Sequence, residues 1–191
     1  MPISPRRSWI IPLIVQLACL LAASAASAGQ VAAIDGKVPA ISIGGRIEPG
    51  DEKTFHSLVG ATLNALIVLA GPGGNVAAAL TIGYEIRARG LKTFVPARSF
   101  CASSCALIWL AGTTRLLGMD AHIGFHALSA PHGGRAYAET HEFDPVLMHY
   151  LLQLGYAGDA TATIVNTPSL GLRWLDRIEL NSNGFGAESY P

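Results

Sequence analysis

Residues 65–95 read ALIVLAGPGGNVAAALTIGYEIRARGLKTFV, and this run predicts the architecture more clearly than any other. It begins with six apolar residues, typical of a short buried strand, and continues into the turn Gly71-Pro72-Gly73-Gly74. The Ala/Leu/Ile-rich composition from Val76 to Arg89 predicts a helix that stops at Gly90. Leu91 to Val95 then predicts a second strand.

The same alternation of strands and helices extends on both sides of this run. Strands are predicted at residues 39–46 and at Ala121 to His126, and helices at Thr54 to Leu63, Ser103 to Leu110, Asp144 to Leu154 and Leu172 to Leu180. Ser129 to Thr140 is predicted to be a loop because it contains proline and paired glycines. The sequence therefore predicts an α/β fold with a mainly parallel sheet.

The N-terminal segment has the three parts of a secretory signal peptide. Arg6 and Arg7 give it a positive start, Trp9 to Leu21 is apolar, and small residues lead to Ala26-Ser27-Ala28. We expect cleavage after residue 28, so that residues 29–191 form one domain in the periplasm or outside the cell. The alternative is an inner-membrane anchor, because residues 9–28 give 20 positions, enough to span a bilayer.

Composition and charge exclude two classes of protein. The 191 residues are 50% hydrophobic and 14% charged, with a mean hydropathy of +0.38, which argues against a disordered chain. The 13 basic and 13 acidic side chains balance, so there is no electrostatic attraction for nucleic acid. Without Arg6 and Arg7, the 163 residues left by cleavage carry 11 basic and 13 acidic side chains, a net charge of −2.

Cys101 and Cys105 would remain in the mature chain after Cys19 leaves with the leader. An even pair of cysteines in an exported protein is consistent with a disulfide. An i, i+4 spacing on a helix would hold the two Cα atoms about 6 Å apart, within disulfide reach. Two buried free thiols that act as small hydrophobes are the alternative.

The turn at Gly71 to Gly74 is not a nucleotide-binding motif. Val76 occupies the place of the third glycine of a dinucleotide fingerprint, and no lysine is placed as in a Walker loop. The backbone N–H groups of such a turn, before a helix, can instead hold an anion or a developing oxyanion. A tight turn without a binding role is the alternative.

Two histidines, His122 and His126, lie four positions apart on a predicted strand, so both could face the same side, and His126 lies at the strand end. His126 could act as a general base toward Ser103. His122 and His126 could also join Cys101 and Cys105 in a metal site, but no HExxH-type motif accompanies them, so no metal is expected. A helix-capping role is the ordinary alternative for Ser103.

Three segments in this order resemble the ClpP/crotonase fold: Leu69–Gly74, Cys101–Gly112 and Ala121–His126. In ClpP-type serine peptidases the matching segments are an S-P-G-G turn, an A-S-M-G-A nucleophile helix ending in A-G, and a strand ending in M-I-H. The chain is most similar to exported ClpP-like proteins of bacteria, which carry C-x-S-x-C around the serine. The resemblance covers about residues 39–180 and implies repeated β-β-α units.

The resemblance implies a role for each matching residue. Ser103 is the nucleophile rather than Ser104, because an ungapped register of 29 positions from Gly74 ends on Ser103, the central residue of C-x-S-x-C. His126 is the base, and the backbone N–H groups of Gly74 and Ser104 form the oxyanion hole.

The sequence departs from the family pattern at two places. The family's aspartate falls on Leu172, which leaves Asp144, Asp159, Asp176 or Asn166 to orient His126. Gly71 replaces the serine of S-P-G-G, a small-for-small change that we expect to leave the turn intact.

We therefore expect an exported serine hydrolase, a peptidase acting on a peptide or protein through a Ser/His acyl-enzyme, without a cofactor. A catalytically inactive binding or interaction module of the periplasm is the alternative, because the acidic residue is missing. The resemblance also implies a homo-oligomer. An ATP-driven unfoldase is not expected as a partner, since ATP is absent outside the inner membrane.

Overall fold

The structure, a computed structural model, describes residues 30–127 and 145–190. The predicted signal peptide and the predicted loop from Ser129 to Thr140 lie outside the described residues. The strands are β1 (Gln30–Ile34), β2 (Ala40–Ile47), β3 (Leu66–Gly74), β4 (Lys92–Val95), β5 (Phe100–Ala102), β6 (Arg115–Leu117), β7 (His122–Phe125), β8 (Arg173–Leu175) and β9 (Ala187–Ser189). The helices are α1 (Asp51–Ala61), α2 (Val76–Ala88), α3 (Ser104–Leu110), α4 (Pro145–Gln153), α5 (Asp159–Val165) and α6 (Arg177–Ser182).

Strand β3 is the common strand of the sheet. It pairs in parallel with β2, its first half pairs with β4, and Gly71 pairs with Cys101 of β5. From β4 the sheet continues through β6 to β9, and from β5 it continues through β7 to β8. Within the described parts of the chain, only β1–β2 and β7–β8 pair antiparallel. The predicted α/β class with a mainly parallel sheet is confirmed, and β1-β2-α1, β4-β5-α3 and β6-β7-α4 follow the predicted β-β-α order.

Local sequence signals explain the central helix α2. The Asn75 side chain accepts a hydrogen bond from Ala78 N at 2.9 Å, which caps the helix start. The helix ends just before Gly90, whose φ of 67° suits a left-handed stop. Its alanine and isoleucine face packs on α3, which is buried along its whole length. Helix α3 in turn packs on β3.

Several predicted boundaries were wrong. Residues 172–180 do not form one helix: β8 comes first, and α6 starts after Asp176, which forms a capping box with Glu179. The helix predicted at Thr54 to Leu63 begins at Asp51. The prediction missed its first turn because the residues there are polar and add nothing to the apolar periodicity. Leu63 lies outside that helix and is exposed.

Short strands account for most of what the sequence analysis missed. Strands β5, β6, β8 and β9 have three residues each, too few to show an alternating pattern. Strand β5 matters most, because it carries the chain from Phe100 to the residue before Ser103. It shortens the predicted helix by one residue, so that α3 begins at Ser104.

Candidate active site

Three strands of the sheet bring the candidate residues together at their carboxyl ends. The predicted turn Gly71–Gly74 is instead the end of β3, because β2 and β5 pair with it. It lies next to Ser103, which follows β5, and His126, which follows β7, because Gly71 pairs with Cys101 and β5 pairs with β7. Ser103 N also donates a hydrogen bond to Gly124 O at 2.9 Å. Parallel pairing therefore places side chains that are 23 positions apart in the sequence within reach of each other.

The Ser103 hydroxyl and the His126 ring are in direct contact. His126 Nε2 lies 2.8 Å from Ser103 Oγ, an ordinary hydrogen-bond distance for these atoms. Ser103 occupies the N-cap of α3 without a side-chain capping bond, so its hydroxyl is not used by the helix. The two side chains are thus at the distance that a serine nucleophile and a general base would need for acyl transfer.

The backbone at Ser103 adopts an unusual conformation. Its φ of 56° and ψ of −128° belong to a region that side chains other than glycine rarely occupy. The conformation turns the chain sharply from strand to helix and points the hydroxyl toward His126. Although the sequence has no G-x-S-x-G motif, the serine still stands on a sharp strand-to-helix turn.

The other ring nitrogen of His126 fixes the tautomer. Nδ1 lies 2.6 Å from Ala127 O, and a carbonyl oxygen can only accept, so Nδ1 must carry a hydrogen. In the neutral ring, Nε2 is then the acceptor, and Ser103 Oγ–H donates to it. Ala127 is itself held by a hydrogen bond from its N–H to Thr167 O at 2.8 Å.

Among the described residues, no carboxylate is hydrogen-bonded to His126. Leu172 is 41% exposed, Asp176 caps α6, Asp159 begins α5 and Asn166 ends it. Asp144 lies outside the described residues. The Ala127 carbonyl therefore stands where a triad would have its acid, and it orients the ring without adding a full negative charge.

The two residues predicted to form the oxyanion hole are hydrogen-bonded to each other. Gly74 N donates to Ser104 Oγ at 2.6 Å, and Ser104 is fully buried. Ser104 N belongs to the first turn of α3, where backbone N–H groups have no partner within the helix. The two predicted nucleophile candidates thus differ: Ser103 contacts the histidine, and Ser104 contacts the turn.

Gly73, near the end of β3, packs on residues 102–104 more closely than a side chain would allow. A Cβ on Gly73 would lie 2.6 Å from Ala102 O and 2.7 Å from Ser104 N. Gly73 also has a φ of 87°, which side chains disfavour. This close approach brings the amides of the turn to the start of α3.

Cys101 and Cys105 are joined by a disulfide in the structure, with their Cα atoms 5.3 Å apart. The distance considered for an i, i+4 pair on a helix does not apply, because Cys101 belongs to β5 and Cys105 to α3. The bond spans Ser103 and ties the strand to the helix around it. Both sulfur atoms are occupied by this bond, and His122 lies at the opposite end of β7 from His126.

Sequence analysis missed two contacts of the site. The Ala127 carbonyl is a backbone group, and a residue type carries no signal for it. The Ser104 hydroxyl contact was hidden by the ordinary role of serine at a helix start. The only available signal was the second serine in C-x-S-x-C, which stands where the family motif has methionine.

No family model matches the chain, and no curated protein matches it. Among solved structures, it is similar to a mutant of the 1510-N membrane-bound stomatin-specific protease. The identity is 18%, the TM-score is 0.56, and the match covers 78% of this chain and 76% of that chain. At this identity the likeness is one of fold, and the predicted ClpP-like α/β fold is confirmed. No helix in residues 30–127 and 145–190 is long and apolar enough to cross a membrane.

Proposed function

We propose that the protein is a serine hydrolase of ClpP-like fold that cleaves peptide bonds through an acyl-enzyme. The observation that carries the proposal is the 2.8 Å contact between Ser103 Oγ and His126 Nε2, in the tautomer imposed by Ala127 O. Ser103 Oγ attacks the carbonyl carbon of the peptide, and its proton passes to His126 Nε2. His126 then gives this proton to the leaving amine, and water attacks the acyl-enzyme in the same way.

The backbone carbonyl behind His126 supports catalysis in part. It keeps Nδ1 protonated and the ring oriented, which is one role of the acid in a triad. It does not supply the full charge that stabilises an imidazolium, so we expect slower turnover than a complete triad gives. Ser–His pairs without the acid retain part of their activity, because triad members contribute unequally.

A fluorophosphonate probe tests the proposal, since it labels activated serines. We expect stoichiometric labelling of Ser103 in the wild-type protein and none in Ser103→Ala. His126→Ala should label about 10²- to 10⁴-fold more slowly, the usual contribution of a general base. Ser57→Ala is the matched control, because Ser57 is exposed on α1 and should leave labelling unchanged. Equal labelling of Ser103→Ala would refute the assignment of the nucleophile.

A second candidate function is a catalytically inactive binding module of the same fold. The observation that favours it is the Gly74 N–H, which is already bonded to Ser104 Oγ. Peptide turnover by wild type but not by Ser103→Ala or His126→Ala would support the hydrolase. Peptide binding that is equal in all three proteins, without turnover, would support the module.

The setting of this activity is part of the proposal. We propose export to the periplasm or beyond after removal of residues 1–28, action without cofactor, nucleic acid or ATP-driven unfoldase, and self-association of the domain. The mass of the protein recovered from the periplasm tests the cleavage after residue 28. Sedimentation equilibrium tests the self-association.

A further inference from the structure

The hydrogen bond between Gly74 and Ser104 occupies a donor that the proposed reaction requires. A peptide N–H has one hydrogen, and that of Gly74 is directed at Ser104 Oγ, 2.6 Å from its nitrogen. The tetrahedral oxygen of an acyl transfer needs such a donor at about this distance. The Ser104 hydroxyl therefore stands in the direction from which the oxygen would be bound.

The position of Ser104 makes this contact unusual. A serine at an N-cap accepts from an N–H of its own helix, but Ser103 holds the N-cap of α3 and Ser104 is the first helical residue. Here the hydroxyl accepts instead from a residue 30 positions earlier, across the narrow contact between Gly73 and the start of α3. Ser104 is fully buried, whereas Gly74 is only partly buried, so the hydrogen bond lies at the edge of the core.

We propose that Ser104 is a positioning residue whose hydroxyl competes with the substrate oxygen for the Gly74 N–H. This inference rests on the proposed function. In the free protein the hydroxyl holds the donor, and it leaves when negative charge develops on the oxygen. A charged acceptor outcompetes a neutral hydroxyl, because hydrogen bonds to ionised groups are about twice as strong.

Fluorophosphonate labelling measures this competition directly. Ser103 Oγ bonds to phosphorus, fluoride leaves, and the serine proton passes to His126 Nε2, while the phosphoryl oxygen takes the place of the tetrahedral oxygen. Ser104→Ala removes the competitor and should raise the labelling rate of Ser103 about 2- to 10-fold, the range of one ordinary net hydrogen bond. The same change should lower the melting temperature, because the partly buried Gly74 N–H loses its partner.

Opposite changes in rate and stability separate competition from a purely structural role. Thr93→Val is the matched control. The buried Thr93 hydroxyl of β4 donates to the Trp109 carbonyl of α3, the helix that also carries Ser104, at a point away from Ser103. It should lower the melting temperature without raising the labelling rate. A Ser104→Ala protein that labels at the wild-type rate or more slowly would overturn the inference.

A measurement on the wild-type protein keeps the inference testable if Ser104→Ala does not fold. A crystal structure of the labelled protein should place the phosphoryl oxygen within hydrogen-bond distance of Gly74 N and Ser104 Oγ beyond 3.5 Å from it. Persistence of the bond between Gly74 N and Ser104 Oγ after labelling would overturn the inference and leave the nucleophile assignment intact. Absence of Ser103 labelling in every protein would instead refute the proposed function itself.

Discussion

Gly71 shows that a neighbouring strand, rather than the local conformation of the chain, can require glycine at a position. The family pattern has serine at this position, and the turn was expected to tolerate either residue. In the structure, the register between β2 and β3 shifts at this point, because Gly71 and Pro72 of β3 lie opposite the single residue Gly45 of β2. A Cβ on Gly71 would collide with the Gly45 carbonyl oxygen. The absence of a side chain at position 71 is therefore tied to the bulge in β3 and to its close contact with Gly45 of β2.

The replacement Gly71→Ser tests this coupling. Although it restores the family residue, we expect it to lower the free energy of unfolding by about 1–3 kcal/mol, the range for inserting atoms into a packed site. Denaturant unfolding monitored by circular dichroism measures the change. Gly60→Ser is the control, because nothing lies within 4 Å of a Cβ there. Equal stability of Gly71→Ser and wild type would show that β2 moves freely at the bulge.

Sequence analysis could identify the parts of the candidate site whose chemistry depends on the type of side chain. Ser103 and His126 were chosen by motif and register, and the structure brings their side chains into contact. The partner of Nδ1 could not be chosen, because a backbone carbonyl belongs to every residue. The Ser104 hydroxyl could not be placed either, since serine bonds equally well to its own helix or to a neighbouring turn.

At the scale of elements, the serine depends on how β5 joins α3. Ser103 lies between the two elements, and its φ of 56° must be held by what surrounds it. The disulfide between Cys101 and Cys105 closes the chain on either side of this residue. Both cysteines are buried, Cys101 fully and Cys105 to within 2%, so the bond is shielded from reductants in solution.

Removal of this disulfide should weaken both stability and labelling. For the Cys101→Ala/Cys105→Ala protein we expect a loss of about 2 kcal/mol in the free energy of unfolding, from the entropy of a five-residue loop. Fluorophosphonate labelling should also slow, because the Ser103 turn loses a covalent constraint. Guanidinium unfolding and labelling rates measure the two effects. A double variant as stable and as reactive as wild type would mean that packing alone holds the turn.

Long elements were predictable, and short ones were not. The unit of β3, α2 and β4 was found because its helix has 13 residues and its strands end at clear turn signals. The three-residue strands β5, β6, β8 and β9 exist because a neighbouring strand supplies hydrogen bonds to them. Such pairing is a long-range property, so a local pattern cannot reveal it.

At the scale of the whole molecule, two buried tyrosines join the C-terminal half to the serine helix. Tyr150 of α4 donates to Leu107 O at 2.8 Å, and Tyr156 donates to Leu110 O at 3.1 Å. Burial raises the pKa of Tyr150 far above its ordinary value, with a smaller contribution from Tyr156. Burial also raises the pKa of Tyr156. Both hydroxyls therefore stay protonated in the fold when exposed tyrosines ionise.

This arrangement predicts a loss of stability in alkali. The pKa values of Tyr150 and Tyr156 in the folded protein lie above the unfolded value of about 10. The stability that these protonated hydroxyls contribute to the fold is therefore complete below pH 10 and is lost as the pH rises toward the folded-state pKa values. Tyr150→Phe should be less stable at pH 7, because the Leu107 carbonyl loses a donor, but its stability should fall less between pH 9 and 11. Thermal unfolding across that range measures the difference, with the partly exposed Tyr190→Phe as control. If stability fell by the same amount between pH 9 and 11 in Tyr150→Phe and in wild type, the role of Tyr150 in the alkaline loss of stability would be contradicted.

Sequence alone was sufficient for the α/β class and the order of the main elements, which follow from hydrophobic periodicity, glycine signals and other local properties of the chain. The resemblance to the ClpP/crotonase fold singled out Ser103 and His126, and the structure brings these two side chains into contact. The carbonyl behind His126, the Ser104 hydroxyl on Gly74 and the bulge at Gly71 came from the tertiary structure. Each joins groups that are distant in the sequence or belong to the backbone, and their positions are set by how strands pair and helices pack.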